Sequence, residues 1–304
     1  MKKFLVLLVS AALVFSMAAV SMAANVKGDF RYEMIEDETK ADGKTTDQSY
    51  GWTDLRFTVE GAVSDSVTAT GVFQLKKNEK NGGTSTFDTN EYYVTYKQAW
   101  GSVKAGSYEY KFTPSRVLLK SAGKHVWDKV DVMIATTFNT PVEGLTADVL
   151  YQPYSQKEGD DSAYGLSAAY NTEKWGVKGT FADFGKKNDT DLNAIDAYYN
   201  INDTMKVFVL GVDYSGYKGN KGDQYQDGFD TVLGFSWDKI AGTSLFAGVE
   251  YAINPRFDGD SAKEFNEYTV NVKYKFNNKV GLEIEHYLAA KDKNKDIFRL
   301  RYQF

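Results

Sequence analysis

The 304-residue chain has no cysteine, four prolines and two histidines. Without cysteine there can be no disulfide framework, no thiolate metal site and no lipid anchor on an N-terminal cysteine. Beyond the first two dozen residues no stretch approaches the roughly 18 apolar residues of a membrane-spanning helix. The net charge is −5, and loss of Lys2 and Lys3 would make it more negative, which excludes a general nucleic-acid binder. No Gly-x-Ser-x-Gly or comparable constellation accompanies the histidines, so no catalysis and no cofactor are expected. His125 reads as a solvated loop residue and His286 as an interfacial residue on the outer face of a strand. The acidic stretches DGDS (258–261) and KDKNKD (291–296) lack the spacing of a full calcium loop, so no metal site is expected either.

What the chain does have is 21 tyrosines, 19 phenylalanines and 26 glycines. Its first 23 residues carry two lysines, an apolar core from Phe4 to Phe15, and small residues at Ser21 and Ala23. That is the pattern of a secretory signal peptide cleaved after Ala23. The rest, 24–304, is long enough for one large domain and is dominated by strand formers.

Apolar and polar residues alternate with period two through this whole domain. In VKGDFRYEMI (26–35), Val26, Phe30, Tyr32 and Met34 share one face, and Lys27, Asp29, Arg31 and Glu33 the other. In WTDLRFTVEG (52–61), Leu55, Phe57 and Val59 oppose Asp54, Arg56, Thr58 and Glu60. Further strands are expected at 67–76, 90–98, 102–109, 129–138, 144–152, 162–170, 175–184, 191–200, 204–214, 228–237, 243–252, 265–276, 280–289 and 296–304, sixteen in all. At about nine to eleven residues they match a tilted bilayer span, whereas strands of soluble sandwiches average about five to six.

The connections alternate in length. Long polar ones are expected at 37–50, 77–89, 110–128, 152–161, 185–190, 215–227, 254–263 and 290–295, with tight turns between. Pro114, Pro141, Pro153 and Pro255 fall in or beside connections, where a missing N–H is tolerated. Trp52, Trp100, Trp175 and Trp237 lie at strand ends, as an aromatic girdle requires. In hydrocarbon every backbone polar group needs an internal partner, so the sheet must close and 26–35 must pair with 296–304. The expected fold is an all-β transmembrane antiparallel barrel of sixteen strands. Lys27, Asp29, Arg31, Glu33, Asp54, Arg56, Glu60, Lys273, Lys275, Glu283, Glu285, Arg299 and Arg301 would face a wet lumen, and a sixteen-stranded ring leaves room for an aqueous channel.

Particular stretches add a family resemblance. Phe298, Leu300, Tyr302 and Phe304 alternate to the last residue, similar to the C-terminal assembly signal of bacterial outer-membrane barrels. NEYYVTYKQAWGSVKAGSYEY (90–110) resembles the strand–turn–strand before the constriction loop of the general trimeric porins of Gram-negative outer membranes. YKFTPSRVLLKSAGKHVWDK follows it, and TTFNTPVEGLTADVLY resembles the strands after that loop. The resemblance implies an outer-membrane porin, a homotrimer passing small hydrophilic solutes and ions. It also implies outer-membrane lipid and the barrel-assembly machinery as partners, and a third long connection folded into the barrel.

The family's acidic loop motif is missing, however. Lys111, Arg116, Lys120 and Lys124 make this loop basic, and Arg31, Arg56, Arg299 and Arg301 would line the facing wall beside Glu33 and Glu60. Basic groups on both sides imply a weak preference for anions. Two alternatives remain open: a porin specific for a sugar or an oxyanion, with Tyr93 and Tyr108 as ring platforms, and a closed structural or adhesive barrel.

Overall fold

The computed structural model describes residues 24–41, 44–79, 83, 85–111, 126–127, 133–153, 162–183, 191–217, 226–253, 267–289 and 293–304. Its strands are β1 (Asn25–Ala41), β2 (Lys44–Ser64), β3 (Val67–Asn78), β4 (Ser85–Gln98), β5 (Gly101–Ser107), β6 (Tyr110–Lys111), β7 (Val126–Trp127), β8 (Met133–Asn139) and β9 (Leu145–Gln152). The remainder are β10 (Ala163–Asn171), β11 (Trp175–Asp183), β12 (Asp191–Asn200), β13 (Met205–Tyr217), β14 (Gln226–Trp237), β15 (Leu245–Ile253), β16 (Glu267–Lys275), β17 (Val280–Ala289) and β18 (Lys293–Gln303). All but β6 and β7 join, each to its neighbour in sequence, into one closed antiparallel barrel of sixteen strands in which β18 pairs with β1. The short pair β6–β7 is a separate ladder within the third connection.

Every barrel strand expected from the alternation is present, and the boundaries differ in informative places. The stretch 37–50 is not a loop. β1 and β2 run on in register until Ala41 faces Lys44. Its threonines and Tyr50 are strand formers, and the sequence Asp42-Gly43 is the strongest short hairpin signal. Likewise β3 and β4 use residues on both flanks of the expected 77–89 connection. The strand expected from 129 begins at Met133 among the described residues.

The tight turns are closed by short polar side chains. The Asn202 carboxamide oxygen accepts the N–H groups of Thr204 and Met205, and Asn277 does the same for Lys279 and Val280. The Thr172 hydroxyl accepts from Lys174 and Trp175. Each mimics a backbone turn and reverses the chain within a few residues.

The outer face is apolar. Tyr32, Met34, Val94, Leu166, Ile195, Val209, Leu233, Ile284, Phe298 and Leu300 all point away from the lumen and are exposed. At the short-turn end Trp100 packs on Phe138 at 5.8 Å between ring centroids, and Trp175 on Tyr170 at 5.4 Å. These rings suit a membrane interface. Trp52 does not belong with them: it stands opposite Glu33 on the inner register of β2, in phase with Asp54 and Arg56. His286 is on the outer face as expected, with Nδ1 2.7 Å from Asp296 and Nε2 3.3 Å from the Tyr268 hydroxyl.

The seam between β18 and β1 has its own device on the outside. Gly28 donates to the Phe304 carbonyl at 2.7 Å, and Phe304 donates back to Gly28 at 3.0 Å. The Phe304 ring lies over Gly28, where any Cβ would collide with it, and meets Phe57 edge-on at 6.1 Å. A glycine is needed here because the aromatic side chain occupies the space of its own.

Candidate functional site

The lumen is bounded by two unlike walls. On β16 to β3, which flank the seam, the inward positions are charged and paired across strands. Arg299 of β18 lies between Glu33 of β1 and Glu283 of β17, with Glu283 at 2.7 Å. Glu283 also accepts from Asn271 at 2.6 Å and faces Lys273 at 3.6 Å. Asp29 receives a two-pronged contact from Arg301, at 2.8 and 2.9 Å, and a further bond from Arg31 at 2.7 Å. Asp54 holds Arg56 at 3.0 Å and Gln74 at 2.6 Å, and Lys27 holds Glu60 at 2.8 Å. Planar guanidinium groups suit this network because one Arg can serve two carboxylates at once.

All six wall residues expected from the sequence therefore face inward, and each one is ion-paired. Two of these contacts, Arg299–Glu33 and Arg301–Asp29, cross the closure seam. Ile297 and Ile35 break the polarity of this wall; they oppose one another inside it and are buried.

Across the lumen, on β8 to β15, the inner face carries a buried apolar cluster set among charged residues such as Asp148, Lys178, Asp196, Lys206, Asp230 and Glu250. Met133, Leu150, Ala182, Leu192, Leu210, Val212, Val232 and Ala252 are in inward register and almost wholly buried. They form one cluster with Tyr108, against which Tyr93, Tyr110 and Phe208 also pack. Here alternation puts apolar residues on both faces, so the inner side is a small hydrophobic core rather than a wetted surface.

The third connection enters this core. The chain leaves β5 at Gly106, whose φ of +141° is closed to side-chain-bearing residues. Tyr108 follows, 2% exposed, and donates to the Lys104 carbonyl at 3.2 Å. Tyr110 then reaches Asp148 of β9 at 3.3 Å, a carboxylate that also accepts from Thr137 at 2.6 Å and Ser167 at 3.0 Å. Lys104, on the inner face of β5, places its ammonium 3.6 Å from the Tyr93 ring centroid and 3.9 Å from that of Tyr108.

Of the expected constriction residues, only the backbone of Lys111 is among the described residues; Arg116, Lys120 and Lys124 lie outside them, as does His125. Phe298, Leu300, Tyr302 and Phe304 are all on the outer face and exposed. The sequence reading passed over Asp148 and Lys104. A lone Asp in the inward phase of LTADVLYQ, and a lone Lys in that of GSVKAGS, were the available signals.

Residues 9–296 match the family model of the Gram-negative porins. The chain belongs to the Gram-negative porin family. It is accordingly an outer-membrane channel protein, from a family of channels rather than of enzymes. None of the curated proteins compared matches the chain in sequence. Solved structures match it in fold. OmpF of Salmonella typhi, in complex with daunomycin, aligns with a TM-score of 0.68 at 12% identity over 92% of this chain and 97% of its own. Two variants of the Rhodopseudomonas blastica porin align at 0.66, with 14% and 13% identity, over 93% of this chain and 100% of theirs. Likeness at such low identity lies in the barrel and not in particular side chains, so what this porin's lumen does has to be read from its own residues.

Proposed function

We propose that the protein is a passive, water-filled channel for small hydrophilic solutes and ions, acting as a homotrimer with a weak preference for anions. Residues 1–23 serve as the export signal, and Phe298, Leu300, Tyr302 and Phe304 are read during assembly. No chemical step is part of this function. The observation that carries the reading is the closed sixteen-stranded ring with a hydrated, charged inner wall along β16 to β3. A ring of that size is not filled by its own inward side chains.

The third connection narrows the channel. Its first residues, Tyr108 and Tyr110, already lie inside, and the near-zero exposure of Leu150, Leu210 and Val232 on the inner face calls for chain laid across them. Lys111, Arg116, Lys120 and Lys124 make this connection basic. The anion preference then comes from this basic connection. The wall arginines contribute less, because each touches a carboxylate within hydrogen-bond distance, although Arg31 and Arg301 share Asp29.

A sugar-specific channel is less well supported. Tyr93 and Tyr108 do lie together in the lumen, but they pack edge-on against each other and the Lys104 ammonium covers both rings. Single-channel recording in planar bilayers tests the whole reading. We expect ohmic openings in groups of three and a reversal potential in a KCl gradient that favours chloride. Absence of openings would leave a closed structural barrel, and saturable block by one sugar would restore the specific channel.

A further inference from the structure

We infer that Lys104, held against the rings of Tyr93 and Tyr108, is a cation on the barrel wall that a permeating anion meets, and so a selectivity residue of the channel. The inference rests on the channel reading above and names a residue to which that reading gives no role.

On the charged wall the lumenal arginines have acidic partners. Arg31, Arg56, Arg299 and Arg301 touch carboxylates, as does Lys27. A paired guanidinium and carboxylate present a dipole to a passing ion, and its field falls off within a few ångströms in salt solution. Lys104 is held differently. Its ammonium is bracketed by two tyrosine rings whose centroids are 5.6 Å apart and whose planes meet at 64°. A π face attracts a cation through a quadrupole and carries no net charge. The rings hold the ammonium in place while leaving its full charge to be felt from the lumen. The acid that acts on it is Glu91 of β4, and no contact within ion-pair distance joins the two among the described residues. Lys206 is also held by a ring, that of Tyr198 at 4.1 Å, but it acts on Asp196 of the same wall.

The position also fits. Lys104 sits in inward register between Thr95 and Ala135, four residues before Tyr108 turns the chain into the lumen. An anion rounding the third connection on the β4–β5 side passes this charge. The ligand class is a small hydrated anion such as chloride, a carboxylate or a phosphate. The contact is transient and electrostatic, because three-sided capture by protein donors is not on offer.

The test is the chloride-to-potassium permeability ratio from reversal potentials. It is measured on wild-type protein and on Lys104→Gln, Lys104→Arg and, as a paired-charge control, Arg301→Gln. A unit charge at about 5 Å in water biases an ion roughly fourfold. Lys104→Gln should therefore lower the ratio by about four- to sixteenfold, since chloride loses an attraction and potassium a repulsion and salt screens both, while Lys104→Arg keeps it. Arg301→Gln, whose Asp29 partner retains Arg31, should move it less than Lys104→Gln. A wild-type ratio below one overturns the anion preference proposed above and leaves this inference standing if Lys104→Gln lowers it further. An unchanged ratio in Lys104→Gln, with normal conductance, overturns the inference alone. If Lys104→Gln fails to assemble, Glu91→Gln carries the test: removing that acid should raise the ratio, and no change would overturn the inference equally well.

Discussion

The inner faces of β16 to β3 and of β8 to β15 are built on the same period-two alternation and solve opposite problems. The first wall carries Asp29, Arg31, Glu33, Asp54, Arg56, Glu283, Arg299 and Arg301, bound to one another along and across strands. The second carries Leu150, Leu210, Val212 and Val232, all buried, with fewer charges, among them Asp196, Asp230 and Glu250. Charges need water or a partner, and here they have both, so the solvated path belongs along β16 to β3. Apolar side chains need cover, so whatever narrows the lumen belongs against β8 to β15. The channel is thus eccentric by construction, with one wall that hydrates and one that anchors.

The largest effect should come from forcing the anchoring wall to behave like the hydrating one. Leu210 is fully buried and stands between Asp196 and Val232 in register. Leu210→Asp places an unpaired carboxylate there, which should cost about 4 kcal/mol or more and detach the covering segment. Urea unfolding in detergent, followed by tryptophan fluorescence, measures the loss, and single-channel recording should show a larger conductance. The same change at Thr58, opposite Lys27 on the hydrating wall, should cost less than about 1 kcal/mol. Equal penalties at the two sites would erase the distinction between the walls.

The converse experiment unbalances the charged wall. Arg299→Ala leaves Glu33 and Glu283 without their shared partner and Glu285 nearby, 4.0 Å from the lost group. Removing one member of a largely buried ion network costs about 3 kcal/mol. Added salt should recover part of this, because repulsion between the stranded carboxylates is screened. A salt-independent loss would mean that Arg299 acts by packing and not by charge.

A third change addresses the seam that the charged wall staples from inside. Gly28→Val drives a side chain into the Phe304 ring and should cost about 1–3 kcal/mol by overpacking. Heat-modifiable mobility on gels would show less assembled barrel. Phe304→Ala added to Gly28→Val should recover much of the loss, since residues in contact couple strongly. No recovery would place the defect in the β1 backbone.

How much of this was legible in the sequence follows from the same contrast. Alternation of charged with aromatic residues announces the hydrating wall directly, and it placed Arg31, Glu33, Arg56, Glu60, Arg299 and Arg301 on the inner face before any coordinates. It could not show that these charges cancel, because pairing depends on register across the seam and Glu33 is 266 residues from Arg299. The anchoring wall was hard to read because Leu150, Leu210 and Val232 make their strands apolar on both faces, the pattern of a fully buried strand. Facing was accordingly ambiguous for 191–200 and 204–214. Trp52 misled for a related reason: position near a strand end fits a girdle, while only the phase of Asp54 and Arg56 shows that it points inward. The over-long loop at 37–50 came from reading charge as solvent exposure, when the Asp42-Gly43 dipeptide is a hairpin signal in the sequence.

The smallest effect should fall on a polar tie to the anchoring wall. Tyr110 donates to Asp148 at 3.3 Å, and Asp148 keeps Thr137 and Ser167 if that bond is lost. Tyr110→Phe therefore leaves no carboxylate unsatisfied and should cost about 0.5–1.5 kcal/mol. The ring itself still packs against the apolar cluster. If cover of apolar side chains is what holds the entering segment, Tyr110→Phe leaves the mean open conductance unchanged and Tyr110→Ala, which removes the ring, makes the open level noisier. If instead the hydrogen bond is the anchor, the two variants will be equally noisy. The wall would then be a polar latch with a greasy surround, and the division between a hydrating and an anchoring wall would have to be redrawn around Asp148.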